Sequence, residues 1–228
     1  MLAIEKMMKP NTLEPLALRF YRIWSPYLTL CLARVGISPN AVSTGSILMS
    51  VAAGVLLGLN HPLAAALVLV AGHTFDRCDG ELARYTDRCS LSGMYLSALN
   101  GNITYGAILL GSGCGAYLAT GMPLYLYAGM SAILFKYLCR LNDKEKGRLL
   151  LGKKRSPTSG IKPPTILRRI SWEAFMYVIH SYGMIISLLV LSLLGRFHYL
   201  PLFYGVLFPL QFIVQLILHQ LEFKKINE

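Results

Sequence analysis

Long apolar runs alternate with short polar connections along most of the chain. Runs of about 20 residues or more, the length that a helix needs to cross a bilayer, lie at 41–59, 62–88, 91–119, 122–141, 171–195 and 199–222. Each run predicts one transmembrane helix. The pattern therefore predicts an all-α integral membrane protein with six transmembrane helices in a domain at 41–222.

The first 40 residues have another pattern, because charged side chains interrupt the apolar positions. Aromatic and aliphatic residues between 16 and 28 alternate with Arg19 and Arg22, which suits a helix lying in the headgroup plane. An ordinary packed helix is the alternative. Asn40 is predicted as the N-cap of the next helix. Residues 1–40 are thus predicted to be a cytoplasmic, interfacial amphipathic segment, and 223–228 a cytoplasmic tail.

The second apolar run ends in charged residues. Asp76, Asp79 and Arg84 stand where ionised groups are costly to bury, so they are functional candidates by default. Asp76 and Asp79 are one helical turn apart on one face, as a divalent-cation site requires. Gly80 and Ala83 let a ligand lie close to the backbone, and Arg84 offers a planar fork to a phosphate.

Composition agrees with a membrane protein and excludes other classes. Hydrophobic residues make up 54% of the chain and charged residues 14%, which is unlike a soluble domain. The net charge of +11 lies between apolar segments rather than among exposed aromatics. Anionic lipids and phosphorylated substrates are therefore the predicted partners, and nucleic acid is not. The five cysteines show no ligand-like pairing and are interpreted as reduced packing residues.

Basic residues cluster in connections that would lie on one side of a membrane. They crowd the N-terminal segment, the link at 84–88, the connection at 142–170 and the tail. By the positive-inside rule, both termini and the charged end of the second helix face the cytoplasm. The basic connection at 142–170 either draws anionic substrates to the site or only fixes the orientation.

Small residues recur at helical spacing in the first and third runs. Gly54 is followed by Gly58, and Gly111, Gly113 and Gly115 form a cluster. Such spacing predicts close contact between helices. The contact is either within one chain or across a dimer.

The charged segment resembles a known family signature. Residues 76–93 read Asp-x-x-Asp-Gly-x-x-Ala-Arg, then eight residues, then Gly. This is similar to the signature of the CDP-alcohol phosphotransferases, integral membrane enzymes of phospholipid synthesis. Residues 33–43 also resemble the start of that family's first membrane helix. The signature, read here over 76–101, continues in the family with aspartates where this chain has Ser97 and Gly101.

The resemblance implies a transferase that moves a phosphatidyl or phospho-alcohol group from a CDP-alcohol to an acceptor hydroxyl and releases CMP. It implies Mg²⁺ or Mn²⁺ bound by Asp76 and Asp79. It also implies a homodimer, as is common in the family, and leaves the acceptor unassigned. The residues implied to hold the cytidine diphosphate are Asp79, Gly80, Ala83, Arg84 and Gly93.

The two absent aspartates change the expected site. In the family they are metal ligands, and the second is the presumed general base. Loss of two carboxylates together with one ion leaves the charge of the loaded site at roughly −2, so we predict a single ion between Asp76 and Asp79. The candidate bases are His73, Asp87 and Glu173. His73 is equally a buried hydrogen-bonding group, and Glu173 a helix-start acid.

Two other classes of function are open at this level. A non-catalytic relative that binds nucleotide or lipid, or assembles with a partner, explains the absent aspartates. A transporter explains the intramembrane charges but not the spacing from Asp76 to Gly93. The enzyme is preferred because Asp76, Asp79 and Arg84 together have no use without a ligand to bind.

Overall fold

The computed structural model describes Tyr21, residues 23–152 and residues 180–227, and all regular structure in these parts is α-helical. Seven helices are described there. They are α1 (Ser25–Val35), α2 (Pro39–Gly58), α3 (Pro62–Tyr85), α4 (Leu91–Thr120), α5 (Pro123–Gly152), α6 (Ser181–Leu193) and α7 (Tyr199–Asn227). The predicted all-α class is confirmed for this part of the chain.

Three of these helices are long and apolar enough to cross a membrane: Pro39–Gly58, Leu91–Thr120 and Tyr199–Lys224. The runs at 62–88 and 122–141 correspond to α3 and α5, which carry charged residues among their apolar ones. The run at 171–195 is described only from residue 180 onward, where α6 is a shorter apolar helix. The count of six spans stays a prediction, and most of the predicted interfacial segment lies outside the described residues.

The first long helix begins two residues earlier than its predicted cap allows. Ser38, not Asn40, is the N-cap of α2, and its Oγ accepts a hydrogen bond of 3.3 Å from the backbone N–H of Ala41. The prediction of Asn40 was wrong because Pro39 occupies the first helical position, where its fixed φ and missing N–H are favourable. Ser90 caps α4 in the same way, accepting from Gly93 N at 3.0 Å.

The charged helix α3 ends sooner than predicted. It stops at Tyr85, and Asp87 has a left-handed backbone with φ of 55°. Asp is one of the few residues that adopt this conformation readily. The predicted helical run at 62–88 is therefore too long at its end, and Asp87 lies beyond the helix that carries Asp76. Asp87 is exposed in the link to α4.

Two helices run further than their apolar patterns predict. α5 continues to Gly152, into the predicted basic connection, and α7 continues to Asn227, into the predicted tail. The extensions are paired, because Lys146 forms an ion pair with Glu222. An apolar run marks only the lipid-facing part of a helix, so these polar ends were missed. Residues 153–170 of the predicted connection lie outside the described residues.

The glycine cluster of α4 packs against neighbouring helices of the same chain. A Cβ on Gly111 would lie 2.6 Å from the carbonyl oxygen of Gly54, and one on Gly115 would lie 2.0 Å from that of Leu57. On another face of α4, a Cβ on Gly113 would lie 3.2 Å from Cα of Gly129. The cluster thus holds α2 and α5 against α4, which confirms packing within one chain.

Two groups of buried side chains surround this contact. The larger includes Leu69, Ile108, Met184, Leu188 and Phe208 and joins α3, α4, α6 and α7. The smaller consists of Leu32, Val42, Cys78 and Leu82 and lies between α1, α2 and the charged end of α3. Apolar packing therefore continues up to the signature residues and fixes their helix against its neighbours.

Candidate active site

Asp79 is held by the helix that precedes it. Its carboxylate is 6% exposed, and its Oδ2 accepts a hydrogen bond from Ser43 Oγ of α2. α2 and α3 approach closely because Gly72 has no side chain, and a Cβ there would lie 3.0 Å from Cβ of Met49. The hydroxyl of Ser43 thereby fixes one oxygen of the carboxylate.

Asp76 is held by the helix that follows. Its Oδ1 accepts a hydrogen bond of 2.7 Å from Asn100 Nδ2 of α4. Asn100 in turn accepts from Ser50 Oγ at 3.2 Å, and Ser50 Oγ lies 2.9 Å from Thr104 Oγ1. These polar side chains form one network across α2, α3 and α4. Each of the two signature carboxylates is therefore oriented by a partner on a different helix.

The third acid of this helix serves a different purpose. Glu81 is buried, and its two carboxylate oxygens accept hydrogen bonds from Ser25 Oγ at 2.7 Å and from Thr29 Oγ1 at 2.9 Å. Both hydroxyls belong to α1. Glu81 thus joins α1 to α3 on a side of the helix away from Asp76, and it is a structural acid.

The predicted nucleotide-binding residues lie on the same end of α3 and at the start of α4. A Cβ on Gly80 would lie 3.3 Å from Nη1 of Arg84, so the guanidinium folds back over the glycine. A Cβ on Gly93 would lie 3.2 Å from Oδ1 of Asn40, which places Gly93 beside the start of α2. Ala83 is half-buried in the turn between Gly80 and Arg84.

The α4 side of the site has a residue that sequence reasoning missed. A Cβ on Gly101 would lie 3.7 Å from Nη1 of Arg140, which belongs to α5. Ser97, one turn earlier, is half-buried. No motif in the sequence links Arg140 to Gly101, because their proximity depends on how α5 packs against α4.

The structure does not join the candidate bases to the carboxylate network within the described residues. The ring of His73 lies 5.2 Å from that of Tyr21 and 6.4 Å from that of Tyr182, centroid to centroid. Its Nε2 has no hydrogen-bond partner in the described part of the chain. Asp87 lies beyond the helix, and Glu173 lies outside the described residues.

The donor atoms at Asp76 and Asp79 fit a hard divalent cation. Within 23–152 and 180–227, no group of three or more His, Cys, Asp or Glu side chains could hold a metal ion. Mg²⁺ commonly uses one or two carboxylates and takes its other ligands from substrate phosphates and water. Ser43 and Asn100 supply the hydrogen bonds that orient such ligands.

Comparison with known proteins gives a family match and a curated relative. The family model described as CDP-alcohol phosphatidyltransferase matches residues 36–190, which include both signature carboxylates and their partners. Archaetidylinositol phosphate synthase of Pyrococcus horikoshii is 26% identical over 121 residues, which are 53% of this chain and 64% of that relative. The match thus spans less than two thirds of the relative's length.

Two solved structures have the same fold. Mycobacterium tuberculosis phosphatidylinositol phosphate synthase with CDP-DAG bound matches with a TM-score of 0.52 and 19% identity over 81% of this chain and 90% of that chain. Its apo form matches with a TM-score of 0.50 and 21% identity over 82% of this chain and 93% of that chain. Neither the family match nor these relatives support the alternative of a non-catalytic relative.

Proposed function

The chain belongs to the CDP-alcohol phosphatidyltransferase family, and we propose that it transfers a phosphatidyl or phospho-alcohol group from a CDP-alcohol to an acceptor hydroxyl, releasing CMP. One observation carries the proposal. Asp76 and Asp79 lie one turn apart on α3, and Asn100 and Ser43 each orient one of them. This arrangement supports the proposal because it fixes two carboxylates one turn apart, as a divalent-ion site requires.

The donor is held at the end of α3 in this proposal. Gly80 and Ala83 allow the nucleotide to approach the helix backbone, and the planar guanidinium of Arg84, folded over Gly80, has the geometry to bind a phosphate oxygen. Gly93, beside the start of α2, completes the donor site.

Asp76 and Asp79 bind one divalent ion, Mg²⁺ or Mn²⁺, together with the diphosphate of the donor. Divalent ions are a property of the family, whereas the count of one is ours. When bound, the ion neutralises the diphosphate and stabilises the negative charge that develops on the departing CMP. Ser43 and Asn100 keep the carboxylates in position, which limits the rearrangement that ligand binding requires.

The acceptor side is open to several alcohols. The carboxylate network contains no further acid or histidine within the described residues, which favours an acceptor hydroxyl that is already ionised or strongly nucleophilic. The relatives are named as synthases of inositol-phosphate lipids, so an alcohol phosphate is the first acceptor to test.

The three apolar helices and the family indicate a membrane protein. Beyond this, the proposal includes six spans, with both termini and the active-site end on the cytoplasmic side, and a homodimer in contact with membrane lipids. The basic residues of 142–170 support this orientation.

CMP release by the detergent-purified protein tests the function. The assay uses CDP-diacylglycerol and a panel of other CDP-alcohols, with Mg²⁺ or Mn²⁺ and with inositol phosphate, glycerol phosphate and serine as acceptors. We expect metal-dependent CMP release that is lost in Asp76→Asn/Asp79→Asn. Absence of release across the whole panel, with CDP still bound, would contradict the proposal.

A further inference from the structure

A guanidinium group lies beside the position where α4 has no side chain. A Cβ on Gly101 would lie 3.7 Å from Nη1 and 3.9 Å from Nη2 of Arg140. The Cζ atom of Arg140 lies 5.3 Å from the ring centroid of Tyr105, one turn further along α4. Gly101 and Tyr105 together therefore leave a surface on α4 on which the planar guanidinium rests.

This guanidinium lies beside the turn of α4 that carries Asn100, the residue that orients Asp76. Gly101 directly follows Asn100, whose Nδ2 donates to Asp76 Oδ1 at 2.7 Å. Among the described residues, no carboxylate forms an ion pair with Arg140. Arg140 is half-buried, so its charge lies partly out of water beside the turn of α4 that carries Asn100.

A second cation lies one turn before Arg140 on α5. Lys136 is 4% exposed, and its Nζ lies 4.5 Å from the ring centroid of Tyr105 and 4.6 Å from that of Phe208. Positive charges this close raise the potential of a low-dielectric site and favour an anion there. The anion that best matches the fork of a guanidinium, besides a carboxylate, is a phosphate.

We propose that Arg140 binds the diphosphate of the CDP donor directly, as a second cationic contact in addition to the ion at Asp76 and Asp79. The inference rests on the proposed function and adds a phosphate ligand from α5 to it. Two carboxylates, one divalent ion and a doubly ionised diphosphate sum to a charge of roughly −2, and Arg140 brings this to roughly −1. The guanidinium lies in van der Waals range of the Cβ position of Gly101, so a longer side chain there would meet it.

Binding of CDP, CMP and cytidine in the presence of Mn²⁺ tests this contact. We expect Arg140→Gln to lower the affinity for CDP by about 10- to 100-fold, the range for a hydrogen bond to a charged group. The affinity for CMP should fall less, and the affinity for cytidine should not change. Arg148→Gln, the same change at an exposed site on α5, is the control and should bind as the unaltered protein does. An unchanged CDP affinity in Arg140→Gln, or an equal loss for all three ligands, would overturn the proposal.

A second pair of variants tests the same contact from α4. Gly101→Asp places a carboxylate against the guanidinium, whereas Gly101→Asn has the same size without the charge. We expect Gly101→Asp to lower the affinity for CDP about as much as Arg140→Gln does, and Gly101→Asn to lower it clearly less. Stronger CDP binding in Gly101→Asp, or equal losses in the two variants, would contradict the proposal. This pair decides the question if Arg140→Gln does not fold, as judged by gel filtration in detergent.

Two controls separate this inference from the proposed function. If Asp79→Asn binds CDP as well as the unaltered protein, the proposed function fails. If Asp79→Asn loses CDP while Arg140→Gln keeps it, only the role of Arg140 fails. Competition by inorganic phosphate distinguishes the source of the phosphate: loss of that competition in Arg140→Gln, with CDP affinity unchanged, would assign the guanidinium to a phosphorylated acceptor and overturn the proposal.

Discussion

The two sides of the candidate site differ in the sign of their charge. The α3 side presents Asp76 and Asp79, each oriented by a hydrogen bond from another helix. The α4 side has no carboxylate at Ser97 or Gly101, and the guanidinium of Arg140 lies over the glycine. One side is thus suited to a divalent cation and the other to an anion.

In the function that we propose, this difference explains how a site with two carboxylates could still bind a diphosphate. We propose that the α3 side binds the ion that screens the phosphates and that the α4 side contributes the guanidinium of Arg140. Both contributions would lower the negative charge of the bound donor.

The largest effect is expected on the α3 side. Asp79→Asn removes a charged ligand and should weaken metal-dependent CDP binding by about 100-fold or more, because loss of even an outer partner of a metal ligand typically costs 10- to 100-fold. Isothermal titration in detergent measures this. Glu145→Gln, an exposed acid paired with Arg148 on α5, is the control. Similar CDP affinities for the two variants would remove Asp79 from the site.

The next largest effect is expected on stability, at the contact between α2 and α4. This contact holds the two sides of the site together. A Cβ on Gly115 would lie 2.0 Å from the carbonyl oxygen of Leu57, so Gly115→Ala should lower the free energy of unfolding by about 1–3 kcal/mol or more. At Gly58, where a Cβ would meet nothing within 4 Å, alanine should raise it by about 0.5–1 kcal/mol. Thermal unfolding in detergent measures whether each variant is less or more stable than the unaltered protein. Equal stabilities of the two variants would contradict the close packing at Gly115.

A smaller effect is expected from the partner of Asp79. Ser43→Ala removes the hydroxyl that orients the carboxylate and should weaken Mn²⁺ affinity about 10-fold. Ser46→Ala is the matched control, since Ser46 is also buried in α2 but its hydroxyl donates to the backbone of Ser43 at 2.8 Å. An Mn²⁺ titration that gives equal affinities for both variants would show that Ser43 does not orient the ligand.

The smallest effect is expected at Asp87, which lies outside both sides. Because the chain leaves the helix before this exposed residue, Asp87→Asn should change the rate of CMP release by less than about twofold, as for ordinary surface substitutions. Loss of CMP release with CDP binding retained would restore Asp87 as the base.

Much of the fold is readable from the sequence, because apolar runs of membrane-spanning length mark helices wherever they occur. The relation of Asp76 to Asp79 is readable for the same reason, since both lie on one helix and their spacing alone places them on one face. The ends of the helices were harder to predict from the sequence. The left-handed residue after α3 and the proline at the start of α2 moved two predicted boundaries.

The partners of the signature residues depend on which helices meet. Ser43 and Ser50 recur with Ser46 on one face of the apolar α2, and that spacing was an unused signal for a polar seam towards α3 and α4. Arg140 had no such signal, because its place beside Gly101 follows from the packing of α4 against α5. Contacts between helices distant in sequence are set by shape, which a pattern along one helix does not contain.

The number of divalent ions bound together with CDP distinguishes a one-ion site from a two-ion site. We expect one Mn²⁺ per chain at saturating CDP, measured by electron paramagnetic resonance of free and bound Mn²⁺, and none in Asp76→Asn/Asp79→Asn. Two ions per chain in the unaltered protein would contradict this expectation, because the α4 side would then bind a metal ion where we place only the guanidinium of Arg140.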